Sequence, residues 1–320
     1  MRIDSQLRAL RSDLAPQRLA QIALEAARDE WADGPALAVL REMDQYGRGG
    51  DLRDYPSLAA LFGAEGGAAK LAGSLVEALL PKVRRHPLGQ VPLRHQYKDG
   101  LTVLQIAQRG RAALTLILYE EQEHDPASAC FTGGERHEAV LAGAADVREL
   151  ELLAEEPGKA AIDCRTRRVV EGEVMQCEGF AHTRQVQRVY GRLVVLRLSR
   201  TEENPPETRQ YSLDDGRLLH RASGCRAESQ REMATALLGR MGRRDAAPIL
   251  RDLAQQGSPH IRWQTLRECL ALDAFAGFIA LSKVAADPED PLAVPAGALR
   301  AQLLETHPQL AQIEEAECPA

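Results

Sequence analysis

The chain has 320 residues, of which 44% are hydrophobic and 27% are charged, and its formal net charge is −6 at pH 7. This composition is typical of a soluble globular protein long enough for two or three packed units. The acidic balance argues against nucleic-acid binding, which needs an excess of basic residues. No apolar run reaches the roughly 20 residues that cross a bilayer, and the first residues lack a signal-peptide pattern, so we expect a cytoplasmic protein without membrane contact.

The hydrophobic period changes twice along the chain. Residues 1–80 show helical spacing, as in the series from Leu7 to Ala26, and further helices are predicted over 57–62 and 68–80. Residues 81–226 alternate apolar and polar positions, which is the period of half-buried strands. Residues 227–320 return to helical spacing. We therefore predict an α+β protein with a helical segment at 1–80, a β-domain at 81–226 and a helical domain at 227–320.

The central segment is expected to form an antiparallel jelly roll or barrel. About ten short strands are predicted, and their connections are too short for crossover helices. The clearest hairpin joins 101–107 to 112–119 through Arg109-Gly110-Arg111. Separate strands are also predicted over 137–141 and 147–153, and over 184–189 and 193–199, with a turn at Tyr190-Gly191 between the last two.

A weak internal repeat marks the C-terminal segment. Leu250, Leu253, Ala254 and Ile261 recur about 31 residues later as Leu281, Val284, Ala285 and Leu292. Helix pairs with this period stack in solenoids, and the segment resembles a HEAT-like repeat. Aromatic and arginine side chains dominate the energetics of protein interfaces. Core packing is the expected role of Trp263, and the alternative is that Trp263, with Arg262 and Arg267 beside it, anchors a protein partner.

One motif-like stretch lies in the central segment. Cys177, Gly179 and His182 have the spacing of the proline, glycine and histidine in the second motif of the cupin superfamily, although Val186 replaces its asparagine. Upstream, Glu135-Arg136-His137-Glu138 precedes Gly143 where the first cupin motif would stand, but the paired histidines of that motif are missing. The segment thus resembles a cupin whose metal motifs are degenerate.

The resemblance implies a jelly roll and a candidate metal site of His182, His137 and Glu135. Mixed nitrogen and oxygen ligands of this kind suit iron, manganese or zinc. His137 and Glu138 are adjacent, so on a regular strand only one of them can face a given side. We expect no cofactor and a structural role for these histidines, and a metal ion bound by this set of residues is the alternative.

Arginines in the last part of the β-domain are candidates for binding an anion. Guanidinium groups bind carboxylates and phosphates through paired hydrogen bonds, and the candidates are Arg184, Arg188, Arg192 and Arg197. Simple solvation of these side chains is the alternative.

Two functions follow from the sequence. The first is non-enzymatic binding, either of a small polar or anionic ligand in the barrel or of a protein partner on the helical surface. The second is a metal-dependent cupin-type enzyme, an oxygenase or isomerase. The sequence leaves open whether the protein forms a homodimer.

Overall fold

The computed structural model describes residues 13–311. The part of the predicted N-terminal helix that precedes residue 13 lies outside the described residues. The helices are α1 (Ala15–Asp33), α2 (Leu37–Tyr46), α3 (Pro56–Ala59), α4 (Gly67–Arg85), α5 (Arg226–Arg240), α6 (Ala247–Leu253), α7 (Pro259–Leu272), α8 (Ala274–Ala285) and α9 (Ala293–Thr306). The strands are β1 (Arg94–Lys98), β2 (Leu101–Arg109), β3 (Ala112–Glu120), β4 (Ser128–Phe131), β5 (Glu135–Glu156), β6 (Lys159–Val170), β7 (Val174–Glu178), β8 (His182–Arg200), β9 (Thr208–Ser212) and β10 (Leu218–Ala222). Single turns of 3-10 helix span Leu52–Asp54, Ala60–Phe62, Arg244–Ala246 and Pro308–Leu310.

The chain folds into two compact units. The first comprises the described residues up to Pro205 together with Arg209–His220, and the second comprises Pro206–Thr208 together with the described residues from Arg221 onward. The predicted α+β class is confirmed, with antiparallel sheets in the middle of the sequence and helices at both ends. The predicted boundary between 1–80 and 81–226 falls inside the first unit, and that three-part division stays a prediction.

Helices α1 and α4 pack in the first unit through the one apolar face that each of them has. Leu24, Ala27 and Trp31 are buried on α1 at helical spacing. On α4 the buried residues include Leu71 and Leu75. The indole nitrogen of Trp31 donates a hydrogen bond to the Ser74 hydroxyl at 2.9 Å, which satisfies the one polar group of this buried ring.

The sheets of the first unit are antiparallel. The larger sheet has seven strands in the order β1-β2-β3-β8-β5-β6, and β7 pairs with the beginning of β5. The smaller sheet has the order β10-β9-β4. The predicted hairpin is present as β2 and β3, which are joined at Arg109-Gly110-Arg111 with Gly110 in the left-handed conformation.

Two pairs of predicted strands are in fact single long strands, so that part of the prediction is wrong. β5 has 22 residues and β8 has 19, and they pair along most of their lengths. The pairing register shifts near Ala142 and again after Asp146, so β-bulges bend the strands where the sequence indicated turns. Gly191 has φ of +76°, yet β8 continues through it.

The long strands separate two cores in the first unit. One face, which carries Ala139 and Leu196, packs with the helices in a core that also contains Trp31 and Met43. The opposite face carries Val140 and belongs to a second core, lined by residues of β5, β6, β7 and β8. Because neighbouring residues of a strand point to opposite faces, residues 135–138 are divided between these two environments.

The second unit is formed by helices α5 to α9. The first copy of the predicted repeat falls on α6 and the start of α7, and the second falls on α8 and the residue before α9. Buried Leu266, Leu281 and Val284 lie in the core that joins α7, α8 and α9. That the helix pairs form a HEAT-like repeat stays a prediction.

Among the described residues, no helix is both long and apolar enough to span a membrane.

Candidate functional site

The candidate site begins where three strands run side by side. β5 lies between β7 and β8, and Glu135 is aligned with Glu178 on one side and with Arg200 on the other. Two carboxylates that face each other across neighbouring strands repel, so this row favours a cation close to it. The register explains why residues distant in the sequence meet at this point.

His137 lies on the same face as Glu135, because residues two apart on a strand point the same way. One donor atom from each of Glu135, His137 and Glu178 can be chosen so that all three atoms lie within 4.8 Å of one another. We call this group the Glu-His-Glu cluster. His137 is buried, Glu135 is partly buried and Glu178 is exposed, so the cluster extends from the core to the surface.

The imidazole of His137 has an unused nitrogen. Its Nε2 lies 3.6 Å from Oε2 of Glu135, which is too long for a hydrogen bond. Among the described residues this buried nitrogen has no hydrogen-bond partner. Leaving such a group unsatisfied costs about 1–3 kcal/mol, so a ligand for this nitrogen is the natural explanation.

Arg200 fixes the other side of Glu135. Its Nη2 forms an ion pair with Oε1 of Glu135, and its Nη1 donates to the backbone carbonyl of Tyr46 at 2.8 Å. The guanidinium carbon also lies 3.9 Å from the centroid of the Tyr46 ring. Arg200 thus ties the end of α2 to the cluster.

Electrostatic interactions keep Glu135 ionised. Burial by itself would raise the pKa of this carboxyl group, but the neighbouring imidazole of His137 and the positive charge of Arg200 help to hold the pKa below its usual value. Conversely, burial and the neighbouring charge of Glu135 raise the pKa of Tyr46 far above its usual value. At neutral pH the cluster therefore has a carboxylate at Glu135, beside a protonated phenol.

The cluster lines a cavity of about 800 Å³ on the helical side of the sheet. The sheet contributes Glu135, His137 and Glu178, and the loop after α2 contributes Asp51 and Arg53. The ring of Phe62 also lines the cavity, and its centroid is 5.7 Å from that of the His137 ring. A potential ligand therefore has space beside the three donor atoms.

The sequence proposed three metal ligands, and the structure brings two of them together. Glu135 and His137 belong to the cluster, but His182 lies opposite Glu151, farther along β5. Its Nε2 is 3.7 Å from Oε1 of Glu151, and half of the side chain is exposed. Glu178 completes the cluster instead. The sequence analysis singled out the stretch 177–182, which contains Glu178, but the sequence carried no information on how β7 aligns with β5.

The four candidate arginines have two different environments. Arg184 and Arg197 both form ion pairs with buried Glu138, at 3.0 and 2.5 Å. Arg188 is exposed, lies 3.9 Å from Glu123 and stacks on the ring of Tyr190, and Arg192 is exposed as well.

Arg136 joins the buried pair of arginines and was not among the sequence candidates. It lies on the same face of β5 as Glu138, and its Nη2 is 3.6 Å from the Cys177 sulfur and 3.5 Å from the Thr183 hydroxyl oxygen. These contacts are long, and no carboxylate among the described residues forms an ion pair with Arg136. The signal in the sequence was its position two residues before Glu138, which places both side chains on one face.

The candidate interface residues of the second unit are divided between core and surface. Arg262 binds Asp290 through two hydrogen bonds and also donates to the carbonyl of Ala254 at 3.1 Å. Trp263 is partly buried against the core of α7, α8 and α9, whereas Arg267 is exposed. Of the three, Arg267 has the most freely accessible side chain.

The donor set of the Glu-His-Glu cluster fits a metal ion. An imidazole nitrogen with two carboxylates is a combination that iron, manganese and zinc accept in proteins. The structural observations that support this fit are the unsatisfied nitrogen of His137 and the clustering of one donor atom from each of the three residues within 4.8 Å.

Comparisons with known proteins reach only part of the chain. No protein-family model and no curated protein matches it. Solved structures that are similar to part of it include a cupin superfamily protein from Desulfitobacterium hafniense, with 13% identity over 33% of this chain and 83% of that one, at a TM-score of 0.25. A putative mannose-6-phosphate isomerase from Ralstonia eutropha has 12% identity over 35% of this chain and 93% of that one, at a TM-score of 0.26.

An oxalate decarboxylase from B. subtilis has 14% identity over 40% of this chain and 30% of that one, at a TM-score of 0.25. TM-scores this low assign neither a family nor an activity to the chain. The case for a function therefore depends on the residues of the site itself.

Proposed function

We propose that the first unit binds a divalent transition-metal ion through Glu135, His137 and Glu178. The observation that supports this most strongly is the buried Nε2 of His137, which has no hydrogen-bond partner among the described residues and belongs to a side chain clustered with the carboxylates of Glu135 and Glu178. A metal ion would satisfy this nitrogen and would relieve the repulsion between Glu135 and Glu178. One cation would therefore account for both features.

The proposal corresponds to the metal-dependent function expected from the sequence. Three protein ligands leave coordination positions open for an exogenous molecule, as in catalytic rather than structural metal sites. A bound ion of this kind supplies Lewis acidity or activates oxygen. The protein's part is to hold the three donors in place, and Arg200 does this for Glu135 through their ion pair.

Elemental analysis of the purified protein tests the proposal. After growth in medium supplemented with iron, manganese and zinc, we expect close to one metal ion per wild-type chain. We expect its loss in His137→Asn and in Glu178→Gln, the second of which changes an exposed ligand without disturbing the core. His182→Asn is the matched control and should keep the metal. A metal-free wild-type protein, or equal metal content in all four proteins, would contradict the proposal.

A second candidate function is anion binding on the opposite face of β5. Arg184 and Arg197 both pair with the single buried carboxylate of Glu138, and Arg136 lies on the same face of β5 without an ion pair to any described carboxylate, so positive charge is in excess there. Such an excess attracts a small anion. Inorganic phosphate should then raise the thermal unfolding midpoint of the wild type more than that of Arg136→Gln. An equal response of the two proteins would argue against this site.

A further inference from the structure

We infer that the metal-loaded site binds a small carboxylate ligand, held between the ion and the guanidinium of Arg53. This inference rests on the proposed function, because it concerns the coordination positions that the Glu-His-Glu cluster leaves open. It adds the chemical class of the ligand and the protein group that recognises it.

The first step is the space beside the cluster. The cavity has a volume of about 800 Å³, and Glu135, His137, Glu178 and Arg53 all line it. Cavities that bind small molecules have volumes of about 300–1,000 Å³. A ligand that coordinates the ion can therefore extend within the same cavity towards Arg53.

The second step is the charge of the cavity wall. The carboxylates of Asp51, Glu135 and Glu178 and the guanidiniums of Arg53 and Arg200 sum to −1 when His137 is neutral. A divalent ion changes this sum to +1. The metal-loaded cavity is therefore complementary to an anion, whereas the metal-free cavity is not, and ligand binding should depend on the metal.

The third step is the arrangement of Arg53. Its Nε and Nη2 donate to the two carboxylate oxygens of Asp51, at 3.0 and 2.7 Å. Asp51 also accepts from the backbone nitrogen of Arg53 at 2.9 Å, where it caps the 3-10 turn Leu52–Asp54. Asp51 thus orients the guanidinium at the cavity wall. Its Nη1 makes no hydrogen bond or ion pair with any described residue and is available to a ligand oxygen.

Arg200 does not compete for this role. Its two terminal nitrogens are already bound to Glu135 and to the carbonyl of Tyr46. Arg53 is the remaining cation of the cavity wall, and its side chain is 88% exposed, so replacing it leaves the core intact. Charge-assisted hydrogen bonds between guanidinium and carboxylate are stronger than neutral ones, and solvent exposure reduces their contribution to a modest one.

The test uses the full chain loaded with Co²⁺, with malonate as the probe. Malonate is titrated while the visible absorption of Co²⁺ reports binding, and the cobalt content is measured before and after to exclude extraction of the metal. We expect the Kd for malonate to rise about threefold in Arg53→Gln, which corresponds to the loss of one solvent-exposed charge-assisted hydrogen bond. Arg48→Gln is the matched control, because Arg48 is an exposed arginine paired with Asp44 at 2.6 Å and is not among the residues that line the cavity. Its Kd should equal that of the wild type.

The outcomes separate this inference from the proposed function. If wild-type protein binds no Co²⁺, the metal site itself is wrong, and the inference falls with it. If Co²⁺ binds but malonate leaves its spectrum unchanged, or if Arg53→Gln binds malonate as tightly as the wild type, the metal site stands and the inference is overturned.

Discussion

The residues at the start of β5 show how one strand carries two kinds of chemistry. Glu135 and His137 face the helical side, where they meet Glu178 and Arg200. Arg136 and Glu138 face the opposite side, where Arg184 and Arg197 are their neighbours. Each face thus has its own set of charged side chains. Substitutions at positions 135 and 137 should affect the helical face only, and substitutions at positions 136 and 138 should affect the opposite face only.

Tyr46 should tolerate the loss of its hydroxyl group. The phenol oxygen is buried and has no hydrogen-bond partner among the described residues. Removing an unsatisfied buried hydroxyl relieves a desolvation cost, so we expect Tyr46→Phe to raise the free energy of unfolding of the metal-free protein by about 1 kcal/mol. Urea unfolding measures this change. A decrease of similar size would instead show that the hydroxyl donates a hydrogen bond to Glu135 in solution.

Glu138 should be essential for stability. It is the shared partner of Arg184 and Arg197, and its side chain is almost fully buried. Neutralising it leaves two guanidiniums without their carboxylate, and breaking a buried pair in this way costs about 3–5 kcal/mol. We expect Glu138→Gln to lose about that much in urea unfolding. Glu149→Gln on the same strand is the control, since its pair with Arg167 is largely solvated and should contribute less than about 1 kcal/mol. Equal losses in the two variants would contradict this account of Glu138.

At the scale of secondary-structure elements, the long strands β5 and β8 depend on glycine at their irregular points. Gly143 has φ of +88°, and a Cβ atom placed there would lie 1.7 Å from the carbonyl oxygen of Arg192. Gly191 has φ of +76°, but a Cβ atom there would have no atom within 4 Å. The two glycines share a backbone conformation and differ in the space around them.

These two positions give a matched pair of substitutions. Gly191→Ala should lower the free energy of unfolding by about 1–2 kcal/mol, the cost of left-handed backbone for a residue with a Cβ atom. Gly143→Ala should cost at least about 3 kcal/mol, because the new methyl group collides with the backbone of β8. Chemical denaturation compares them. Similar losses would mean that β8 moves away from Gly143 without penalty.

The sequence was informative about elements where local rules decide the structure. The hairpin of β2 and β3 was predictable because alternation and a glycine turn are both local signals. The continuity of β8 through Gly191 was not, because a left-handed glycine occurs in turns and in bulges alike. Only pairing with β5, which starts 47 residues before β8 in the chain, distinguishes a bulge from a turn at this glycine.

At the scale of the whole molecule, the metal ligands also show that local sequence patterns do not specify how distant strands pair. That Glu135 and His137 share a face follows from the period of a strand, and both were candidates from the sequence. Glu178 required the register between β5 and β7. His182 was suggested by motif spacing, although it begins β8 and is aligned with Glu151, farther along β5 than the cluster. The side of the sheet on which the cluster lies also depends on packing with the helices, which no local pattern specifies.

The central claim is that Glu135, His137 and Glu178 are the ligands of one metal ion. The most direct measurement is a crystal structure of the Mn²⁺-soaked full chain, with anomalous differences recorded to locate the ion. The account predicts one strong peak within bonding distance of Nε2 of His137 and of an oxygen of each glutamate. A peak at His182, a peak beside Glu138, or no peak at the cluster at saturating Mn²⁺ would contradict it.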